Sequence, residues 1–178
     1  ELKKSEPNAQ LVIVGDGYCK NQLIQLCHEL KLTTHVNNHS NEIELNQSSD
    51  IIFTGTAHNV LSILAVCDLY VMTSLQEGLG LVLLEAMMAK LPIISTDCKV
   101  GPREILSDNI DFDRKKSAFF AEYGVLMPPF DLKNDHFESK ISTQETEFAK
   151  TIIHLFNNEK KLSEYKTKSE KKLVQFKK

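Results

Sequence analysis

Two carboxylates and two glycines crowd into one short run, Glu77-Gly78-Leu79-Gly80-Leu81-Val82-Leu83-Leu84-Glu85. Between residues 80 and 89 the one charged side chain is Glu85, and a helix that is apolar on every side belongs in a core. Taking an unpaired carboxylate out of water is expensive, so Glu85 must reach a cleft or meet specific donors. Ligand hydroxyls are such donors. A carboxylate that merely bridges neighbouring loops is the other reading, and the company of Glu77 and the glycines weighs against it. Gly78 and Gly80 let the backbone come close to a ligand. A helix beginning just after them offers unpaired N–H groups, and the positive end of its dipole, to an anion such as a phosphate.

The elements that must position this run follow from the pattern around it. Residues 69–72 read as a buried strand, residues 81–89 as a helix that Pro92 stops, and residues 93–96 as the next strand. Gly101-Pro102-Arg103-Glu104 opens a short helix with proline in its first turn. Upstream, the apolar run at residues 11–14 ends in the turn Gly15-Asp16-Gly17. Leu23, Ile24, Leu26, Cys27 and Leu30 then recur at helical spacing. A strand at residues 51–53 leads through Thr54-Gly55 to a helix over residues 59–66, and residues 124–127 form the last strand. Strands alternating with helices predict an α/β fold with a doubly wound, Rossmann-like parallel sheet. In such sheets ligands collect beyond the carboxyl ends of the strands, which is where residues 73–80 fall. The polar stretches 33–50 and 131–145 read as insertions in a single domain over residues 1–178, the first with a short strand around residues 43–45. Residues 107–122 read as charged and irregular, and residues 147–157 and 160–176 as closing helices.

Composition narrows the function. A net charge of -3 over 178 residues gives no clustered basic surface for duplex nucleic acid. No apolar run approaches the roughly 18 to 20 residues that span a bilayer. Cys19, Cys27, Cys67 and Cys98 have no CxxC spacing, and the expectation is a soluble domain with reduced thiols in a cytoplasmic setting. Gly15-Asp16-Gly17 lacks the third glycine of a dinucleotide fingerprint, position 20 being lysine. His35 and His39 lie in a loop-like stretch without a carboxylate partner, so no metal site is expected.

The Glu-x7-Glu run resembles the motif of group 1 retaining glycosyltransferases (glycosyltransferase family 4, GT-B fold). LVIVGDG, IIFTG, CDLYVMTS, LPIISTD, GPREIL and EYGVLMP fall in that family's order, across most of residues 11–128. The resemblance implies the carboxyl-terminal, nucleotide-sugar-binding half of a GT-B enzyme. It casts Glu85 as the carboxylate that binds the ribose hydroxyls and Glu77 as the catalytic-site carboxylate that faces the donor sugar. The backbone of Gly78, Leu79, Gly80 and Leu81 would hold sugar and diphosphate. Thr56 and His58 fall in the base-contacting turn, and Gly15 and Gly17 in the glycine turn that lines the cleft. The donor expected is a UDP-sugar, with no metal or further cofactor. Leu79 stands where the motif usually carries an aromatic.

The family also places a diphosphate-gripping arginine and lysine ahead of the strand at residue 11. An acceptor glycan or lipid-linked acceptor would be bound mainly by an amino-terminal domain. The sequence includes neither, and the expectation is a fragment that is inactive alone. The lysines between residues 160 and 178 could attract an anionic membrane surface, or form a solvated helix face. A GT-B sugar-nucleotide epimerase and a non-catalytic nucleotide-sugar-binding module are the alternatives.

Overall fold

The computed structural model describes residues 2–37, 48–110, 117–130 and 141–176. The chain divides into two compact units, residues 1–60 with 135–141, and residues 61–134 with 142–178.

The first unit contains helix α1 (Leu2–Ser5), strand β1 (Leu11–Val14), helix α2 (Lys20–Glu29), strand β2 (Thr34–Val36) and strand β3 (Ile51–Gly55). Its sheet is parallel throughout, in the order β1-β3-β2. The central strand β3 is buried along its whole length, as an apolar, β-branched strand covered on both faces should be. Leu23, Ile24 and Cys27 of α2 pack with Leu32 against Ile13, Val36, Ile51 and Phe53. Residues 33–50 read as loop in the sequence, yet β2 lies inside that stretch. It pairs Thr34 with Ile51 and Val36 with Phe53. Three residues are too few to declare a period, and pairing to β3 makes the strand. Residues 43–45 and His39 lie outside the described residues.

Asp50 ties this unit together. Its carboxylate accepts from Thr33 N at 2.8 Å and Thr33 Oγ1 at 2.9 Å, and Lys3 Nζ lies 2.6 Å from Oδ1. The Lys3 contact first, then the two from Thr33, hold its pKa down at about 2 against an ordinary 3.8. A carboxyl whose folded pKa is depressed stabilises fully above its unfolded pKa and loses that contribution as pH falls through the folded one. The clamp should therefore weaken between the ordinary value of 3.8 and about 2. Lys3→Met should raise the Asp50 pKa part of the way back to its ordinary value in a carboxyl NMR titration, the Thr33 hydrogen bonds holding the rest. An unchanged titration would contradict the clamp.

Helix α3 (Val60–Leu64) runs across the boundary in sequence. The second unit continues with β4 (Tyr70–Met72), α4 (Leu81–Met88), β5 (Ile93–Thr96), α5 (Pro102–Leu106), β6 (Phe119–Phe120), β7 (Val125–Met127), α6 (Thr143–Phe156) and α7 (Glu159–Leu173), followed by a 3-10 turn at Val174–Phe176. Its sheet has the order β4-β5-β7-β6, with β4, β5 and β7 parallel. β6 is antiparallel to β7, pairing Phe119 with Leu126 and Phe120 with Val125. That strand corrects the expectation of irregular chain over residues 107–122; its two residues gain their structure only from β7.

Helix α6 also begins earlier than expected. Ser142 Oγ accepts from Glu145 N at 3.1 Å, and the Glu145 carboxylate accepts from Ser142 N at 2.6 Å. This capping box supplies the donors of the first turn with partners. The S-x-x-E spacing was visible in the sequence.

Ile94, Val125, Met127, Phe148, Leu155 and Tyr165 form one core cluster of this unit. Tyr165 is fully buried, and its hydroxyl has no hydrogen-bond partner among the described residues. Leaving a buried hydroxyl unmatched costs about 1 to 3 kcal/mol. Tyr165→Phe should thus be neutral or raise stability by about 1 kcal/mol in urea denaturation. A clear loss of stability would show that the hydroxyl is satisfied.

Among the described residues no helix is long and apolar enough to cross a membrane, and no group of His, Cys, Asp and Glu is arranged to hold a metal ion. All four cysteines are free thiols.

Candidate functional site

The segment with the two glutamates lies beyond the carboxyl end of β4. Gly80 is the N-cap of α4, at φ 72°, and no side chain caps the helix. That left-handed backbone favours glycine, which has no Cβ to strain. Having no side chain, Gly80 also leaves the first turn of α4 without the usual Ser, Thr, Asp or Asn cap. Leu83, Ala86 and Met87 are fully buried, which fixes one side of α4 to the unit's core, while Leu81 and Val82 are exposed. Glu85 lies one helical turn beyond Leu81 and is half-buried, as is Glu77 in the loop before the helix; Gly78 and Leu79 are exposed.

Neither carboxylate has a hydrogen-bonding or ion-pair partner among the described residues. Their charges are felt by two groups that the sequence did not single out. Burial above all pushes the Tyr70 phenol above its ordinary pKa, and Glu85 and then Glu77 push it further. Burial likewise raises the Cys98 thiol, with Glu77 the next contributor. Tyr70, the first residue of β4, and Cys98, just after β5, thus both feel the charge of Glu77.

The loop that follows β5 holds the rim in place. Thr96 Oγ1 donates to the Ser74 carbonyl, and Asp97 N donates to the Met127 carbonyl at 2.7 Å. Arg103 grips the buried Asp97 with two nitrogens, Nε at 3.2 Å from Oδ1 and NH2 on Oδ2. That pairing raises the guanidinium pKa still further. Glu104 accepts from Gly101 N at 2.9 Å, capping α5. Arg103 and Glu104 thus serve the loop's architecture.

The remaining candidates belong to the first unit. Gly15 N donates to the Gly55 carbonyl at 2.9 Å, so the glycine turn and the turn after β3 adjoin. Both glycines have positive φ, 118° and 68°. Gly17 N donates to Asp16 Oδ1 at 2.8 Å within its own turn. Thr56 and His58 are exposed. His35 Nε2 lies 3.0 Å from Asn37 Oδ1, a local pairing. The lysine-rich α7 is partly neutralised: Lys161 and Lys168 both pair with Glu164, at 3.2 and 2.6 Å. Lys172 is buried, 3.2 Å from Asp108 and over the ring of Tyr123.

An α/β unit with a Glu-x7-Glu run around an uncapped helix start is the arrangement that the sequence suggested. The chain matches the family Glycosyl transferases group 1 over residues 1–158, and it belongs to that family. It is 32% identical over 157 residues to an uncharacterized glycosyltransferase of Methanocaldococcus jannaschii, covering 86% of this chain and 35% of that one. Among solved structures it is similar to the pneumococcal O-GlcNAc transferase GtfA in complex with UDP and GlcNAc. The TM-score is 0.69 at 21% identity, over 98% of this chain and 28% of that one. It is also similar to the C-terminal domain of a group 1 glycosyl transferase, LpcC, from Francisella tularensis, with a TM-score of 0.63 at 20% identity over 98% of this chain and 72% of that one. The fold is that of the carboxyl-terminal half of a GT-B glycosyltransferase. The chain spans well under half the length of the curated relative.

Proposed function

We propose that this chain binds the nucleoside-diphosphate-sugar donor of a retaining glycosyltransferase, with UDP-sugar as the donor. The observation that carries the reading is the pair of half-buried carboxylates, Glu77 and Glu85, on either side of an uncapped helix start and without hydrogen-bonding or ion-pair partners among the described residues. Half-buried carboxylates without donors are costly unless a ligand supplies them, and the free helix end supplies what a diphosphate needs. In this reading Glu85 accepts from the ribose hydroxyls and Glu77 from a hydroxyl of the sugar. The amides at Leu79, Gly80 and Leu81 take up charge that grows on the leaving diphosphate, which is where preorganised donors accelerate a reaction. GtfA, whose fold is similar, is described with UDP bound, which supports the choice of nucleotide.

The acceptor is a glycan or lipid-linked sugar in polysaccharide or glycoconjugate synthesis, held mainly by an amino-terminal domain. The enzyme works in the cytoplasm, with the exposed lysines of α7 available to an acidic membrane face. No metal or cofactor takes part, and Glu77 orients the sugar instead of attacking it. The test is the anomeric configuration of the product formed by the full-length enzyme from an α-linked UDP-sugar, read by proton NMR. An α-linked product is expected; a β-linked product would overturn retention, and epimerised UDP-sugar without transfer would overturn the activity.

A further inference from the structure

We infer that Gly101 is a positioning residue for the donor site, setting the peptide between Leu79 and Gly80 from behind. The inference rests on the proposed donor-binding role of that segment. Gly101 is buried, with φ +99°, and a Cβ on it would lie 2.8 Å from the Leu79 carbonyl oxygen, 2.9 Å from its carbon and 3.3 Å from Gly80 N. Every one of these atoms is backbone, so no rotamer change relieves the crowding. Either the 97–101 loop or the 79–80 peptide must move.

The loop is the better anchored of the two. It is tied to the sheet through Asp97 N on the Met127 carbonyl at 2.7 Å, and to α5 through Arg103 on Asp97 and Gly101 N on Glu104. Gly80 rests on the same support, since a Cβ there would stand 3.7 Å from Ile105 Cδ1 of α5. The 79–80 peptide, by contrast, leads from the exposed Gly78 and Leu79 into α4. Added bulk at position 101 therefore displaces the amides that are to meet the second phosphate and the sugar, and leaves the ribose carboxylate Glu85 on its helix.

Gly124 provides a control for crowding by a Cβ in the same unit. A Cβ there would crowd the Ile93 carbonyl oxygen at 2.9 Å and Leu106 Cδ2 at 3.1 Å, residues not assigned to the donor, without the positive φ of Gly101. The experiment is calorimetric titration of the full chain with UDP and with UMP, for wild type, Gly101→Ala and Gly124→Ala, with melting temperatures recorded. Gly101→Ala should lose about tenfold or more in UDP affinity and keep its UMP affinity, because UMP lacks the second phosphate. Gly124→Ala should melt earlier with both affinities kept.

UDP affinity unchanged in Gly101→Ala, an equal loss of UDP and UMP, or a UDP loss shared by Gly124→Ala would overturn the inference while leaving the donor site standing. Wild type that binds neither nucleotide would overturn the proposed function and this inference with it. Should Gly101→Ala fail to fold, Arg103→Lys gives up the two-pronged grip on Asp97 while keeping its charge. A selective loss of UDP affinity is again expected there, and unchanged UDP binding in that variant overturns the inference.

Discussion

Arg103→Met is expected to destabilise the second unit by about 3 to 5 kcal/mol, the range for a buried ion pair broken from one side. Asp97 is only 4% exposed, and two nitrogens of Arg103 lie on its carboxylate. Take the guanidinium away and a carboxylate remains buried just past β5, beside a rim already made negative by Glu77. The methionine replaces most of the lost contact area, so the loss reports the charge. Asp97→Asn combined with Arg103→Met should recover much of the stability, because no uncompensated charge is then left. Urea denaturation of wild type, both single variants and the double variant measures the coupling. Additive losses would mean that the pair does not hold the loop.

Glu77→Gln should lower kcat of the full-length enzyme by about a hundredfold, a loss of about 2.7 kcal/mol in the transition state. The amide keeps the size of the side chain and one acceptor oxygen, but loses the charge that orients the sugar as the glycosidic bond breaks. KM for the donor should change much less than kcat, since Glu85 and the helix start still bind the nucleotide. That pattern marks an interaction made chiefly in the transition state. Steady-state kinetics at saturating acceptor provides the readout, and a rise in KM with kcat unchanged would reduce Glu77 to a binding residue.

How far the sequence could be read depended on the length and strength of each signal. The all-apolar run before Glu85, the stop at Pro92 and the Gly101-Pro102 start placed β5 at Ile93–Thr96 and α5 at Pro102–Leu106 as observed, and α4 to within one residue at its end. β2 and β6 escaped because elements of three and two residues take their structure from a partner strand. The start of α6 falls earlier than the expected residue 147, although Ser142 and Glu145 carry the capping-box spacing that marks it.

Within the site, the pairing of Glu77 with Glu85 was readable because one motif carries both. The roles of Asp97, Tyr70, Cys98 and Gly101 were not. Asp97 and Arg103 meet across a loop, Tyr70 and Cys98 feel Glu77 from different elements, and Gly101 shows its close approach to Leu79 only in three dimensions.

The central claim is that the segment from Glu77 to Glu85 holds a nucleoside diphosphate, and titration of the chain with UDP by calorimetry, wild type against Glu85→Ala, tests it most directly. Removing a carboxylate that accepts from ribose hydroxyls costs about 1.5 to 3 kcal/mol. The account therefore predicts UDP binding by the wild type and a loss of roughly ten- to a hundredfold in the variant, with the melting temperature little changed. Equal affinities would contradict it, as would a wild type that does not bind UDP.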